Sequence, residues 1–437
     1  MTRSNPINIQ ARWDNVLVPA NIATERCLLI ELCAESVEHR QPAREPINFA
    51  LVIDCSGSMA KWRLDAAKTA AIGITESLNS KDRLSLITFD DVVTEHFSDV
   101  SMDQIGHQKA RHHIGRLTAG RTTNLSAGWF KGAQFAAEVM ERHNFPNGHV
   151  LLLSDGRANV GITRPEILAK HARELSDRGI LSSTVGIGAN YSPLQLDAIA
   201  VGGNGRLHDA ETPDDIIDTV LGELGEIRNL AARDTRLHLE FPKGVELKLL
   251  TRAPVQQIGQ VLQINLDTLL AGRSRPIALL SELPPYPAGS KLPFDITITW
   301  RDPVSGEQQL MGPVTTTLKV VPPTEAVAVE TDYEVLIQVS DLWEATLAYQ
   351  AMRYNEAGDY SRASQLYQQD FDKFCATVSK LDDSHRRIAR LHKARRAVER
   401  SWTGRSKREA ITMAKKRMLN EADLRRRDSG DWHDHLR

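Results

Sequence analysis

Between residues 46 and 229 the hydrophobic pattern keeps switching between two periods. Residues 47–54 form an apolar run that ends in a polar loop, and residues 64–78 place Leu64, Ala67, Ala71, Ile74 and Leu78 on one face of a helix. Short apolar runs follow at 83–89, 149–153 and 180–187, with a further strand at 92–97 after the turn-like Asp90-Asp91. Helical stretches at 102–117, 126–142, 165–178, 193–200 and 213–228 lie between and after them. The last three begin at Pro, which a helix tolerates in its first turn. Such an alternation predicts an α/β domain with a doubly wound, mostly parallel, Rossmann-like sheet covered on both faces.

Near Arg233 the period becomes two. Residues 235–241 (Thr-Arg-Leu-His-Leu-Glu-Phe), 245–249 and 294–300 alternate polar with apolar, and 261–266, 276–280 and 314–321 are further short runs. Turns rich in Gly and Pro separate them, so the stretch predicts an antiparallel β-sandwich of about six strands. Residues 24–34 are strand-like too, although they precede the α/β stretch. The most economical topology puts them in the same sandwich, with the α/β domain inserted between strands. Pro322-Pro323 marks a linker, and from residue 331 the pattern is helical. The expected divisions are therefore 1–45 (an N-terminal strand segment of the sandwich), 46–230 (the α/β domain), 231–323 (the sandwich) and 324–437 (a helical region with a basic tail).

Composition narrows the class. With 437 residues, 41% hydrophobic and 25% charged, the chain has the make-up of a multidomain globular protein. No apolar run reaches the roughly 18 to 20 residues that span a bilayer. Met1 to Gln10 lacks the apolar core of a secretory signal, so a cytoplasmic protein without a membrane partner is expected. Cys27, Cys33, Cys55 and Cys375 show no CxxC spacing. Cys27 and Cys33 share one face of a strand six residues apart, too far to bridge, and free thiols are expected. Cys55 reads as a small buried filler rather than a redox switch.

The net charge of −2 conceals an asymmetry. Residues 380–427 hold seventeen Lys and Arg against six acids, a local +11, which leaves −13 for the remainder. This segment is expected to be a solvated helical face, dispensable for folding, that docks on an acidic surface. Phosphate backbones are the alternative partner, less favoured at an overall pI near 6.7. His112-His113 and His433-x-His435 have no accompanying Cys or His cluster and read as solvated residues rather than ligands.

The residues that carry chemistry lie at the ends of the α/β strands. Asp54, Ser56 and Ser58 follow the first strand, Thr123 precedes a helix, and Asp155 ends the run Leu151-Leu152-Leu153-Ser154. In an open parallel sheet these loops converge at the carboxyl edge, where strand order reverses and ligands bind. Oxygen donors with little else suit a hard cation such as Mg²⁺. Alternate spacing in Asp-x-Ser-x-Ser turns the three side chains toward one centre, and Gly57 allows the tight approach.

Leu51-Val52-Ile53-Asp54-Cys55-Ser56-Gly57-Ser58-Met59 resembles the metal-ion-dependent adhesion site of the von Willebrand factor A superfamily. The resemblance continues through Asp82-Arg83-Leu84-Ser85-Leu86-Ile87-Thr88-Phe89-Asp90, Thr123-Asn124-Leu125-Ser126-Ala127-Gly128, Leu153-Ser154-Asp155-Gly156 and Thr184-Val185-Gly186-Ile187-Gly188. It implies that Ser56, Ser58 and Thr123 ligate Mg²⁺ (or Mn²⁺ or Ca²⁺) directly and that Asp54 and Asp155 hold its waters. The family's second Gly in the threonine loop is replaced in Gly120-Arg121-Thr122-Thr123, which leaves Thr122 as the alternative ligand; adjacency to Asn124-Leu125 favours Thr123. The sandwich and helical tail resemble bacterial cytoplasmic members more loosely. Tyr349, Gly358, Asp359, Tyr360, Ala363 and Tyr367 resemble one tetratricopeptide-like hairpin, too few for an array.

Three neutral hydroxyl ligands would leave a metal much of its charge and one position for a carboxylate from outside. No residue nearby reads as a nucleophile with a general base. The expectation is a non-enzymatic adaptor that captures an Asp or Glu of a protein partner; the resemblance suggests AAA+ ATPases of the MoxR kind. The alternatives are a ribonucleoprotein component acting through the basic tail and a chelatase-type subunit. With no Walker motif in the chain, any ATPase would be a separate protein.

Overall fold

The computed structural model describes residues 7–34, 46–120, 122–156, 160–188, 191–228, 230–303, 305–327 and 330–398, with 400 and 402. Arg121, residues 403–427 of the basic segment and His433-x-His435 lie outside the described residues. The chain forms two compact units: Met1–Arg40 with Leu230–Arg437, and Gln41–Asn229.

The first unit opens with β1 (Ile7–Trp13), β2 (Leu17–Pro19) and β3 (Thr24–Ala34). The chain then builds the α/β unit from β4 (Asn48–Asp54), α1 (Trp62–Ser77), β5 (Arg83–Phe89), β6 (Val93–Ser101), α2 (Gln104–Gly115), α3 (Leu125–His143), β7 (Gly148–Ser154), α4 (Pro165–Ser176), β8 (Ile180–Ile187), α5 (Pro193–Gly202), β9 (Asn204–Ala210) and α6 (Pro213–Arg228). Its sheet runs β6-β5-β4-β7-β8-β9, parallel throughout except for the β5–β6 pair. Every residue of β4, β7 and β8 is buried, as strands inside a sheet covered on both faces must be. From β4 the chain passes to β5 on one side and later reaches β7 on the other. Strand order therefore reverses at β4, and a crevice opens beyond its carboxyl end.

Two glycines set how closely α3 lies on that sheet. A Cβ at Gly128 would overlap the Phe89 ring, and one at Gly132 would overlap the Val52 side chain. Their spacing of four puts both on one helix face. The close approach draws the start of α3, and Thr123 just before it, toward the ends of β4 and β7.

The first unit resumes with β10 (Leu230–Glu240), β11 (Glu246–Leu249), β12 (Val255–Ile258), β13 (Val261–Leu270), β14 (Ser274–Leu283), β15 (Lys291–Arg301) and β16 (Gln308–Val321). These strands and β1–β3 form a four-stranded sheet, β1-β3-β14-β11, and a six-stranded one, β12-β13-β10-β15-β16-β2. The pairing is antiparallel except between β2 and β16. Alternate residues fill the core, among them Ile30 and Leu32 of β3, Leu237 and Leu239 of β10, and Phe294, Ile296 and Ile298 of β15. The sandwich holds ten described strands, against about six expected after residue 233 and one at residues 24–34; β1, β2 and β12 are the additions. β2 is three residues long and β12, Val-Gln-Gln-Ile, is exposed throughout, so neither shows an alternating pattern. β9 was missed in the α/β unit because Asn-Gly-Arg-Leu-His-Asp-Ala is an edge strand with little apolar content.

Helices α7 (Pro323–Ala326), α8 (Tyr333–Glu356), α9 (Tyr360–Val378) and α10 (Ser384–Ala397) complete the unit. Gly358, at φ 75°, turns the chain between α8 and α9, and the Asp359 carboxylate caps α9 by accepting from the Arg362 N–H at 3.1 Å. The start of the basic segment departs from the expected dispensable face. Arg387 is buried and donates to Ser340, Asp341 and Asp383 at 2.7–2.8 Å. Arg390 donates to Glu344, which is 1% exposed, at 2.8 Å. A carboxylate held that deep on α8 requires a paired cation, and α10 supplies it. Arg386, Lys393, Arg396 and Arg400 face solvent instead. No helix among the described residues is long and apolar enough to cross a membrane.

Candidate metal site

The parallel register of β4 and β7 aligns Ile53 with Leu153, so Asp54 and Ser154 end their strands side by side. The Ser154 hydroxyl donates to Asp54 Oδ2 at 2.6 Å, and the Ser56 backbone N–H donates to Oδ1 at 2.8 Å. After β4 the chain makes a single 3-10 turn, Gly57–Met59. Ser56 stands at its N-cap without making a cap bond; its hydroxyl lies 3.1 Å from that of Ser58. Ser58 in turn donates to Asp155 Oδ1 at 2.6 Å. Four of the five expected residues are thus joined in one hydrogen-bonded chain.

Thr123 comes to the same place from the loop before α3. That loop is pinned at both ends: the Gly120 N–H donates to the Cys55 carbonyl, and the Asn124 N–H to the Asp90 carbonyl. Asn124 also caps α3, accepting from the Ala127 N–H. Thr123 is buried and Thr122 exposed. Gly156 shows where the Thr123 hydroxyl lies, since a Cβ on that glycine would stand 3.2 Å from Thr123 Oγ1 and 3.8 Å from Asp54 Oδ2.

Burial sets the electrostatics. Asp54 is fully buried, and desolvation pushes its pKa up to about 6 against the pull of the Ser154 and Ser56 hydrogen bonds. Asp155, 2% exposed, is also raised by burial, opposed by the Ser58 hydrogen bond and by Arg63. Ser58 is exposed, so the group opens to solvent on its side. Two desolvated carboxylates beside three hydroxyls fit a hard divalent cation, which would neutralise them and take all its protein ligands from oxygen. Among the described residues no three His, Cys, Asp or Glu side chains cluster, so the donor set does not suit a nitrogen- or sulfur-bound metal. If a cation is held, Ser56, Ser58 and Thr123 are its direct candidates, with Asp54 and Asp155 behind them. It would supply a Lewis-acidic point for a carboxylate.

Sequence reasoning gave no role to Ser154, Gly156 or Arg63. Ser154 had a signal, as a hydroxyl ending a strand beside Asp54. Arg63 had none: its nearness to Asp155, 3.6 Å from Nε to Oδ2, depends on how the turn folds back. Cys55 is buried, and desolvation with the nearby Asp54 and Asp90 charges pushes its thiol up to about 12.

A profile of the von Willebrand factor type A domain matches residues 48–220. The uncharacterized protein sll0103 of Synechocystis is 28% identical over 316 residues, covering 68% of this chain and 71% of that protein. Inter-alpha-trypsin inhibitor heavy chain H3 of Homo sapiens is 30% identical over 210 residues, 47% of this chain; the match spans only 23% of that much longer relative. Among solved structures, a von Willebrand factor type A protein from Catenulispora acidiphila shares the fold. Its TM-score is 0.62 over 90% of this chain and 91% of that one, at 17% identity.

Proposed function

Residues 48–220 form a von Willebrand factor type A domain, and from that premise we propose that the chain is a metal-dependent protein-binding adaptor. Its site takes Mg²⁺ at Ser56, Ser58 and Thr123 and captures an Asp or Glu side chain of a partner. The observation that carries the reading is the pair of buried carboxylates, Asp54 and Asp155, set behind hydroxyls that open to solvent at Ser58. Such a site attracts a cation without quenching it. A binding role is favoured over catalysis because neutral hydroxyl ligands would leave a cation most of its charge and a position for a carboxylate from outside. An AAA+ ATPase of the MoxR kind is the partner class to test first.

The test compares partner retention by the immobilised chain in Mg²⁺ and in EDTA, for wild type and Thr123→Ala. Chelation and the substitution act through one ion, so each lowers retention and the two together lower it no further. Additive losses would place the contact elsewhere. A second reading rests on α10, whose exposed Arg386, Lys393 and Arg396 give a cationic face suited to phosphate backbones. Retention on an oligonucleotide that weakens steeply with salt supports it; indifference to salt removes it.

A further inference from the structure

Arg63, in the first turn of α1, has no part in the role proposed above, yet it is tied into the site. Its Nη1 donates to the Ser58 carbonyl at 2.9 Å, and its guanidinium carbon lies 5.1 Å from the centre of the Trp62 ring. Gly188, after β8 at φ 69°, makes room for it: a Cβ there would stand 3.0 Å from Nε. That Nε is buried without a hydrogen-bond partner, 3.6 Å from Asp155 Oδ2. The distance is too long for a hydrogen bond and short enough for strong attraction. The Asp155 carboxylate is therefore divided. Oδ1 accepts from Ser58 on the side of the candidate ligands, and Oδ2 faces a fixed cation.

We propose that Arg63 is the standing counter-charge of this site: it holds Asp155 in place when no metal is bound, and its charge weakens the binding of the metal when it comes. The proposal rests on the metal reading above. Two roles for Arg63 make opposite demands. A residue that only braced the loop would, once removed, loosen the ligands and weaken metal binding. A counter-charge, once removed, leaves a more negative site that binds a divalent ion more tightly. At one carboxylate's remove, in the partly solvated edge of a sheet, a unit charge is worth on the order of tenfold in affinity for such an ion. Arg63 is thus a positioning residue that acts through Asp155 and sets the metal concentration at which the site fills.

The experiment is a calorimetric titration of the EDTA-stripped full-length chain with MgCl₂, for wild type, Arg63→Gln and Arg63→Lys, with thermal midpoints taken before and after saturation. Arg63→Gln should bind Mg²⁺ about tenfold more tightly, and Arg63→Lys, which keeps the charge, should stay within about threefold of wild type. Metal-free Arg63→Gln should melt below wild type, and the gap should close on saturation. Unchanged or weaker binding by Arg63→Gln, with wild type taking up Mg²⁺, overturns the proposal and leaves the metal reading intact. A flat wild-type titration with a midpoint indifferent to EDTA overturns the metal reading, and this proposal with it.

Discussion

Replacing Asp54 by Asn removes a charge and reverses one hydrogen bond, and changes little else. Oδ1 accepts from the Ser56 N–H at 2.8 Å and Oδ2 from the Ser154 hydroxyl at 2.6 Å. An asparagine in the same rotamer keeps the first bond through its carbonyl oxygen. Its amide can donate to the second lone pair of Ser154 Oγ, which also accepts from the Gly156 N–H at 3.3 Å, while the Ser154 proton gives up its Asp54 acceptor at a cost of about 1 kcal/mol. The substitution therefore isolates what ionising a buried carboxylate costs without a cation. Burial holds the Asp54 pKa at about 6, where an ordinary aspartate has 3.8. A folded-state value above the unfolded one means that the native protein binds the proton more tightly. Its contribution to stability is full below pH 4 and is lost as the pH rises through 6. At about 1.36 kcal/mol for each pH unit between the two values, the loss comes to about 3 kcal/mol. Asparagine does not incur it. In EDTA at pH 7.5 the Asp54→Asn protein should outlast wild type by up to about 3 kcal/mol, a rise in midpoint of up to roughly 6–12 °C for a unit of this size. The gap should shrink toward pH 4. Excess Mg²⁺ should raise the wild-type midpoint by mass action and leave the variant where it was. Scanning calorimetry at several pH values, with and without Mg²⁺, measures all three. If the variant is the less stable protein in EDTA at pH 7.5, the carboxylate is not waiting for a cation, and the electrostatic account of the site fails.

Gly128→Ala forces a Cβ into the Phe89 ring, so overpacking of about 1–3 kcal/mol should outweigh the gain of about 1 kcal/mol from better helix propensity; denaturant unfolding would show the net loss, and weaker Mg²⁺ uptake would show Thr123 displaced with α3. Relative to a chain ending after Trp402, one ending at Lys380 loses α10 with its buried Arg387, Leu391 and Ala394 and the Arg390–Glu344 pair, and should be clearly the less stable by urea titration; equal stability of the two would return α10 to the role of a dispensable face. Phe294→Ala empties the middle of the sandwich, where that ring meets Trp13 edge-on at 4.8 Å, and should cost about 3–5 kcal/mol without altering Mg²⁺ affinity.

What could be read from the sequence follows the physics of burial. β4, β7 and β8 announce themselves because both faces of each are covered and every position must be apolar or small. α4 and α6 announce their starts through Pro165 and Pro213. β9 and β12 are edge strands, answerable to one neighbour and to solvent, and nothing compels a pattern on them. At the site, Asp54, Ser56, Ser58, Thr123 and Asp155 stand out because oxygen side chains end several strands and loops at one edge of the sheet. Arg63 does not, because only the fold brings its guanidinium to Asp155. The packing of Arg387 and Arg390 was hidden for a different reason. In a segment so rich in cations, the two that answer buried partners on α8 look like all the others until Ser340, Asp341 and Glu344 are seen beside them.

The pairing of β3 with β14 sets Leu28 against Leu279 and Ile30 against Ile277, partners about 250 residues apart in the chain. The polypeptide is made in the opposite order of need. When β1 and β3 leave the ribosome, the strand that will cover one side of β3 has not been synthesised, and the whole α/β unit emerges first. That unit pairs strands no more than about 100 residues apart, whereas the sandwich waits for a loop closure of far higher contact order. During the wait β3 presents one bare strand edge and the apolar side chains of Leu28, Ile30 and Leu32, the kind of surface that aggregates or recruits chaperones. Refolding from denaturant should meet the same obstacle, its slowest phase being the meeting of the chain's beginning with its second half.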